Sequence, residues 1–263
     1  GVDLWVTGAV MAATFGAGFV TTVAGLGGGI LLLPVLIWAL GPIGGVVVLS
    51  MSMLWGNILR FLMFREHTDW AVFRGLAWGS VPGAALGASL LNQVPEGVLR
   101  KWIAVYLLLY VAYELFGASL RRPTRLQEFP AVGFVTGILS GVFGAAGPLS
   151  APFLMNYGLA KERFIATNML SALVINGVKS LVYSQGGSLT PELWGWSALA
   201  AAMVTLGIYV GRLSLAKIDE GLFKKALLAM LCVVSLNFLL KPSGEHRSTP
   251  VRPSGWHPPQ VSH

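Results

Sequence analysis

Two stretches of this chain carry the same pattern of glycine, asparagine and basic residues. Positions 119 apart match in the pairs Gly25 with Gly144, Gly28 with Gly147, Asn57 with Asn176, and Arg60 with Lys179. Beyond a loop that is five residues longer, the match continues at an offset of 124, as in Gly83 with Gly207 and Gly87 with Gly211. The chain therefore consists of two related halves, which must fold alike. We predict one half over residues 1–120, a second over 121–240, and a disordered tail over 241–263.

The composition of both halves is that of a protein that resides in lipid. Hydrophobic residues make up 55% of the chain and charged residues 11%, with a mean hydropathy of +0.71. A soluble domain carries about 25% charged residues, so we predict an all-α polytopic membrane protein whose main partner is the bilayer. Most apolar runs approach the roughly 20 residues that one crossing needs. They cover 4–40, 44–64, 75–91, 102–118, 129–157, 164–184, 194–213 and 222–240.

The first and fifth apolar runs are each interrupted. Residues 25–29 are rich in glycine and are followed by Pro34, and residues 144–148 have the same character and are followed by Pro152. Glycine destabilises a helix interior, and proline removes one of its hydrogen bonds. Neither run is therefore expected to form one continuous helix.

The basic residues indicate how the two halves face each other. If each broken run folds back at its glycines, each half has a hairpin plus three crossings, and the second half is inverted. This arrangement puts eleven basic residues on one side and three on the other, whereas full crossing of the broken runs gives parallel halves and a division of six against eight. The eleven are Arg65, Arg74, Arg121, Arg122, Arg125, Lys161, Arg163, Arg212, Lys217, Lys224 and Lys225, and the three are Arg100, Lys101 and Lys241. Cytoplasmic segments carry the excess of Lys and Arg, which predicts two inverted repeats with both termini extracytoplasmic.

The interruptions predict a binding site for an anion. A helix broken inside the membrane is tolerated where it is buried in protein or lines a cavity, and the helix that follows presents unpaired N–H groups and a positive dipole end. The candidates are Gly27, Gly28, Gly29, Gly147 and Pro148. The alternative is that these glycines only allow helices to approach closely. Close packing is the role that we expect for Gly83, Gly87, Gly207 and Gly211.

Two cations and two amides inside apolar runs are further candidates for the anion site. Arg60 and Lys179 are the only basic residues well inside apolar runs, and each lies three residues after an asparagine, Asn57 or Asn176. Residues three apart share a helix face, so an amide and a cation could bind an oxyanion together. The alternative is that the two cations extend to the membrane surface.

Other kinds of site find little support in the sequence. Of the carboxylates, only Glu114 lies inside an apolar run, and all four histidines lie outside the runs. No catalytic set or metal-ligand spacing is present, so we expect no enzyme activity, cofactor or metal. The basic residues that give the net charge of +7 lie mostly in short connections between apolar runs, where they determine topology. We therefore expect no nucleic-acid partner.

At residues 18–34 and 136–148 the chain resembles the TauE/SafE family of sulfite and sulfonate transporters, and the resemblance extends over residues 4–240. It implies a multi-pass protein of the bacterial or archaeal inner membrane. The implied substrate is a small sulfur-containing anion, such as sulfite, thiosulfate or sulfoacetate. Alternating access of two inverted repeats would move it. An anion channel or uniporter, and an accessory membrane subunit without its own substrate, are the alternatives.

Overall fold

The computed structural model describes residues 4–214 except 25–27, 92, 117–122, 145–146 and 160. These residues form eight α-helices and two short 3-10 helices, and no strand occurs among them. The α-helices are α1 (Leu4–Ala24), α2 (Gly28–Phe64), α3 (Trp70–Leu91), α4 (Glu96–Phe116), α5 (Phe129–Phe143), α6 (Gly147–Asn156), α7 (Lys161–Gln185) and α8 (Pro191–Ser214). The predicted run over 222–240, the tail over 241–263 and the boundary at 120/121 lie outside the described residues.

Both broken runs form two helices, as their glycines and prolines predict. The first run is α1 followed by the beginning of α2, and the second is α5 followed by α6. Helix α5 ends at Gly144, whose φ of 82° lies in the region that glycine adopts without steric cost.

The chain also turns sharply inside α2. Gly41 has φ 76° and ψ 172°, and Pro42 follows it directly. A Cβ added at Gly45 would lie 2.7 Å from the backbone nitrogen of Ile37. Residues eight apart in a straight helix are separated by about 12 Å along its axis, so this contact requires a sharp turn at Gly41. Helix α2 therefore consists of two arms, 28–40 and 42–64.

Helix α6 returns toward the beginning of α5. The ring of Tyr157, which follows α6 directly, meets the ring of Phe129, the first residue of α5, with centroids 5.3 Å apart. Leu154 and Leu159 pack in the same apolar cluster as Phe129 and Val132. The two ends of this broken run therefore lie side by side.

Two helix pairs pack through matching glycines. A Cβ on Gly83 of α3 would lie 2.3 Å from the Phe134 carbonyl of α5, and one on Gly207 of α8 would lie 2.1 Å from the Phe15 carbonyl of α1. Gly207 is Gly83 shifted by 124 positions, and Phe134 is Phe15 shifted by 119. Gly87 and Gly211 show the same relation to Ile138 and Phe19. The prediction that these four glycines serve close packing is confirmed. The same kind of contact joins the two halves at two related places, α3 with α5 and α8 with α1.

The outer surface and the length of the helices are those of a membrane protein. Among the described residues, four helical stretches are long and apolar enough to cross a bilayer, namely Gly29–Leu62, Leu126–Phe143, Glu162–Gln185 and Pro191–Gly211. Helices α3 and α4, of 22 and 21 residues, are not in this group. Large apolar side chains face outward, such as Trp78 at 80% exposed and Leu109 at 65% exposed.

Candidate functional site

The predicted glycine positions lie where two helices begin. Gly28 and Gly147 are the first residues of α2 and α6, and Gly29 and Pro148 are the second. Gly27 lies outside the described residues. The N–H groups of a first helical turn have no partner within the helix, and the helix dipole makes that end positive. Each interruption therefore provides a helix start that favours negative charge.

Lys179 is fixed against the end of α5. Its Nζ donates to the Ser140 hydroxyl at 2.9 Å, the Ser140 carbonyl at 3.3 Å and the Gly144 carbonyl at 3.0 Å. The side chain is 0% exposed. An ammonium has three N–H donors, and these three acceptors match that number. Lys179 therefore pairs with the Gly144 carbonyl directly after α5 and adds a second donor to the Ser140 carbonyl, which also accepts from the Gly144 N–H. Its side chain is enclosed by the protein and does not reach the protein surface.

Tyr183, one helical turn after Lys179, supports the same end of α5. Its hydroxyl donates to the Gly141 carbonyl at 2.6 Å, and the residue is 0% exposed. Residues four apart share a helix face, so α7 contacts the last turn of α5 with an ammonium and a phenol. We did not identify Tyr183 from the sequence. The available signal was its spacing of four from a buried lysine.

Arg60 and Asn57 contact each other, as their spacing predicts. The Arg60 guanidinium donates to the Asn57 side-chain oxygen at 3.1 Å and, through Nε, to the Gly56 carbonyl at 3.2 Å. Arg60 is 7% exposed and Asn57 5% exposed. A guanidinium has five N–H donors, of which these two bonds use two. The Asn57 oxygen faces the guanidinium, so its NH₂ group is directed elsewhere and can donate.

The two cations are therefore used differently, although they occupy matching positions. Lys179 bonds to another helix, α5, whereas Arg60 bonds within its own helix. Asn176, the counterpart of Asn57, is 6% exposed on α7. Helices α2 and α7 pack against each other, so the two asparagine-bearing helices are neighbours. The structure thus brings Asn57 together with Arg60, and places Lys179 at the interruption after α5.

A second polar contact lies close to the beginning of α6. The Ser150 hydroxyl, three residues after Gly147, donates to the Asn168 side-chain oxygen of α7 at 3.1 Å. Both residues are buried. Within the residues that the structure describes, no group of three His, Cys, Asp or Glu side chains could hold a metal ion.

The sequence profile of the sulfite exporter TauE/SafE family matches residues 10–238. A probable membrane transporter protein of Bacillus subtilis, YtnM, is 28% identical over 144 residues, which are 49% of this chain and 47% of that protein. A probable membrane transporter protein of Haemophilus influenzae is 28% identical over 120 residues, 42% of each chain. These matches span about half or less of the relatives' length.

No solved structure matches the chain. The family match covers most of the sequence and includes both interrupted runs. It confirms the resemblance seen in the two glycine-rich motifs. The protein is thus a member of the sulfite exporter TauE/SafE family.

Proposed function

We propose that this protein is a secondary transporter that moves a small sulfur-containing anion, such as sulfite, thiosulfate or an organosulfonate, across the inner membrane. The observation that carries the proposal is the duplicated arrangement of a helix start, at Gly28 or Gly147, followed by a helix with a buried asparagine and a buried cation. The family description names sulfite export. The two relatives are described as probable membrane transporters.

The chemistry of these groups suits an oxyanion. Backbone N–H groups at a helix start bind negatively charged oxygens. Arg60 adds a charged planar donor, and the Asn57 amide adds a neutral donor next to it. Lys179 is a positioning residue in this proposal, because its ammonium holds the end of α5 and thereby fixes where α6 begins.

The inverted arrangement of the two halves is part of the proposal. The contact between Phe129 and Tyr157 supports a hairpin in the second half. The charge division of eleven against three supports opposite orientations of the halves. The matched contacts of Gly83 with Phe134 and of Gly207 with Phe15 support pseudo-symmetry. Two such halves can rock against each other about a central site, which is alternating access.

Transport by the purified protein in liposomes tests the substrate class. We expect saturable movement of ³⁵S-sulfite or radiolabelled sulfoacetate. The double variant Asn57→Leu and Asn176→Leu should abolish this flux because it removes both buried amides. Arg74→Met, which removes an exposed basic residue on α3, is the control and should transport normally. Normal flux in the double variant would remove both asparagines from the site, and no flux of any sulfur anion by the unaltered protein would contradict the proposal.

The same liposomes distinguish a transporter from a channel. A secondary transporter concentrates its substrate when a gradient of a second ion is imposed, whereas a channel only equilibrates it. We therefore expect labelled sulfite to accumulate above its outside concentration under an imposed proton or sodium gradient. Equilibration without accumulation under every gradient would favour the channel.

Cysteine labelling tests the inverted topology. With Cys232 replaced by serine, single cysteines at Glu66 and at Gln185 place one label after α2 and one after α7, at exposed positions. An impermeant maleimide should reach them from opposite sides of the membrane if the halves are inverted. Labelling of both from one side would show parallel halves and would refute the proposed mechanism.

A further inference from the structure

A small cavity near the beginning of α6 is lined by polar side chains. It lies between α3, α5, α6 and α7 and measures about 10 Å³. A cavity of this size holds one particle as large as a water molecule. Five of its lining residues carry a hydroxyl or an amide and are at most 5% exposed, namely Ser80, Thr136, Ser150, Asn168 and Ser171. No carboxylate or cation lines it.

One lining hydroxyl lacks a hydrogen-bond partner. Ser80 is 1% exposed, and its Oγ makes no hydrogen bond in the part of the chain that the structure describes. A buried polar group without a partner costs about 1–3 kcal/mol. A bound particle that interacts with the Ser80 oxygen would remove this cost.

The place that the repeat relates to this cavity is mostly apolar. At the positions related by the repeat, Ser80 corresponds to Val204, Thr136 to Ala17, Ser150 to Leu31, and Asn168 to Leu49, while Ser171 corresponds to another serine, Ser52. Val204, Ala17 and Leu49 are buried in the apolar core. The helix contacts around the two places are alike, because Gly137 approaches the Ser80 carbonyl as Gly18 approaches the Val204 carbonyl. The same packing therefore exists with four of the five polar side chains replaced by apolar ones, and the complete polar cluster occurs at one of the two related places.

We propose that this cavity binds a sodium ion. The Ser171 hydroxyl donates its hydrogen to the Thr167 carbonyl at 2.8 Å, so its oxygen lone pairs remain for a cation. The Asn168 oxygen is an acceptor held in place by Ser150. Neutral oxygens are ligands for hard cations. A divalent cation would leave a double charge buried without a carboxylate to balance it, and a sulfur oxyanion has several heavy atoms and exceeds the cavity.

A sodium ion in this cavity is positioned to influence the interruption between α5 and α6. Ser150 and Asn168 connect α6 to α7, and Ser80 and Thr136 belong to the closely packed pair α3 and α5. An ion shared by these four helices stabilises one arrangement of the hairpin. The inference that this ion drives anion transport rests on the proposed function. The inference that the ion binds in this cavity is independent of the proposed function.

Binding of ²²Na⁺ to the purified full-length protein, without any sulfur anion, tests the site. We expect saturable binding that excess NaCl displaces and that KCl and choline chloride do not. The thermal unfolding temperature should be higher in NaCl than in KCl or choline chloride at equal ionic strength, because a ligand of the folded state stabilises it. Absence of binding and of a sodium-specific shift in the unaltered protein means that only water occupies the cavity, and overturns the proposal.

Two variants assign the binding to this cavity. Ser80→Val, which copies Val204 of the other half, should lose ²²Na⁺ binding and the sodium-specific shift. Ser197→Ala removes another buried hydroxyl without a partner in the described structure, outside the cavity lining, and should keep both. If Ser80→Val does not fold, the same two measurements are made on Ser171→Ala. Binding that survives in the cavity variants, or displacement by KCl as effective as by NaCl, overturns the assignment. Sodium binding together with absent anion transport would refute only the proposed function.

Discussion

Lys179 on α7 donates a hydrogen bond to the carbonyl of Gly144, 3.0 Å away, at the residue where α5 ends. The contact joins two helices that are 35 residues apart along the chain at this point. A helix end carries unpaired carbonyl groups and a negative dipole charge, and inside a membrane no water satisfies them. The buried ammonium thus makes an interruption after α5 possible.

Replacing Lys179 with methionine should destabilise the protein strongly. The change leaves the carbonyl of Gly144 without this donor and removes the ammonium from both Ser140 oxygens, although the Ser140 carbonyl keeps the Gly144 N–H. A buried polar group left unpaired costs about 1–3 kcal/mol. We expect a clear fall in the thermal unfolding temperature in detergent. Lys101→Met, at an exposed position of α4, is the control and should unfold like the unaltered protein. Equal stability of the two variants would show that α5 ends without help from Lys179.

Substitution of Gly207 should separate α8 from α1. A Cβ there would lie 2.1 Å from the Phe15 carbonyl, a backbone atom that cannot move aside cheaply. Overpacking of this kind costs about 1–3 kcal/mol, so Gly207→Ala should lower the unfolding temperature. Gly195→Ala on the same helix meets nothing within 4 Å and should leave it unchanged or raise it slightly, because alanine favours helix. Gly83→Ala, at the matching contact with Phe134, should lower the unfolding temperature in the same way if the two related contacts contribute equally to stability.

The sequence predicts those parts of the site that depend on local spacing. The glycines predict the interruptions after α1 and α5, and the interval of three predicts that Asn57 and Arg60 meet. The partner of Lys179 was not predictable, because it depends on how α7 packs against the end of α5. The matching position, Arg60, bonds within its own helix instead. Ser80 was missed for the same reason, since a serine between two packing glycines becomes part of a polar cavity only when α6 and α7 close over it.

Asp69 joins the two halves at the beginning of α3, and its two roles can be separated. Its Oδ2 pairs with Arg163 at 2.6 Å, and its Oδ1 accepts from the backbone N–H groups of Ala71 and Val72 at 3.1 Å each. Asp69→Asn keeps the helix cap and loses the ion pair, which costs about 0–1 kcal/mol because the Arg163 side chain is 60% exposed. Asp69→Ala loses the cap as well, at about 0.5–2 kcal/mol. Thermal unfolding should therefore rank the unaltered protein first, Asp69→Asn second and Asp69→Ala last, and equal values for the two variants would show that the cap contributes nothing.

Arg60 and Asn57 should act as one unit in anion binding. The guanidinium and the amide oxygen are bonded at 3.1 Å in a buried position, so removing either group disturbs the other. Residues in contact typically show interaction energies of about 0.5–3 kcal/mol in double-mutant cycles. The cycle consists of Arg60→Met, Asn57→Ala and the double variant, and the measurement is the rise in unfolding temperature on adding sulfite. We expect each single variant to lose most of this rise and the double variant to lose little more. Losses that simply add would show that the two side chains act independently, and an undiminished rise in Arg60→Met would remove Arg60 from the anion site.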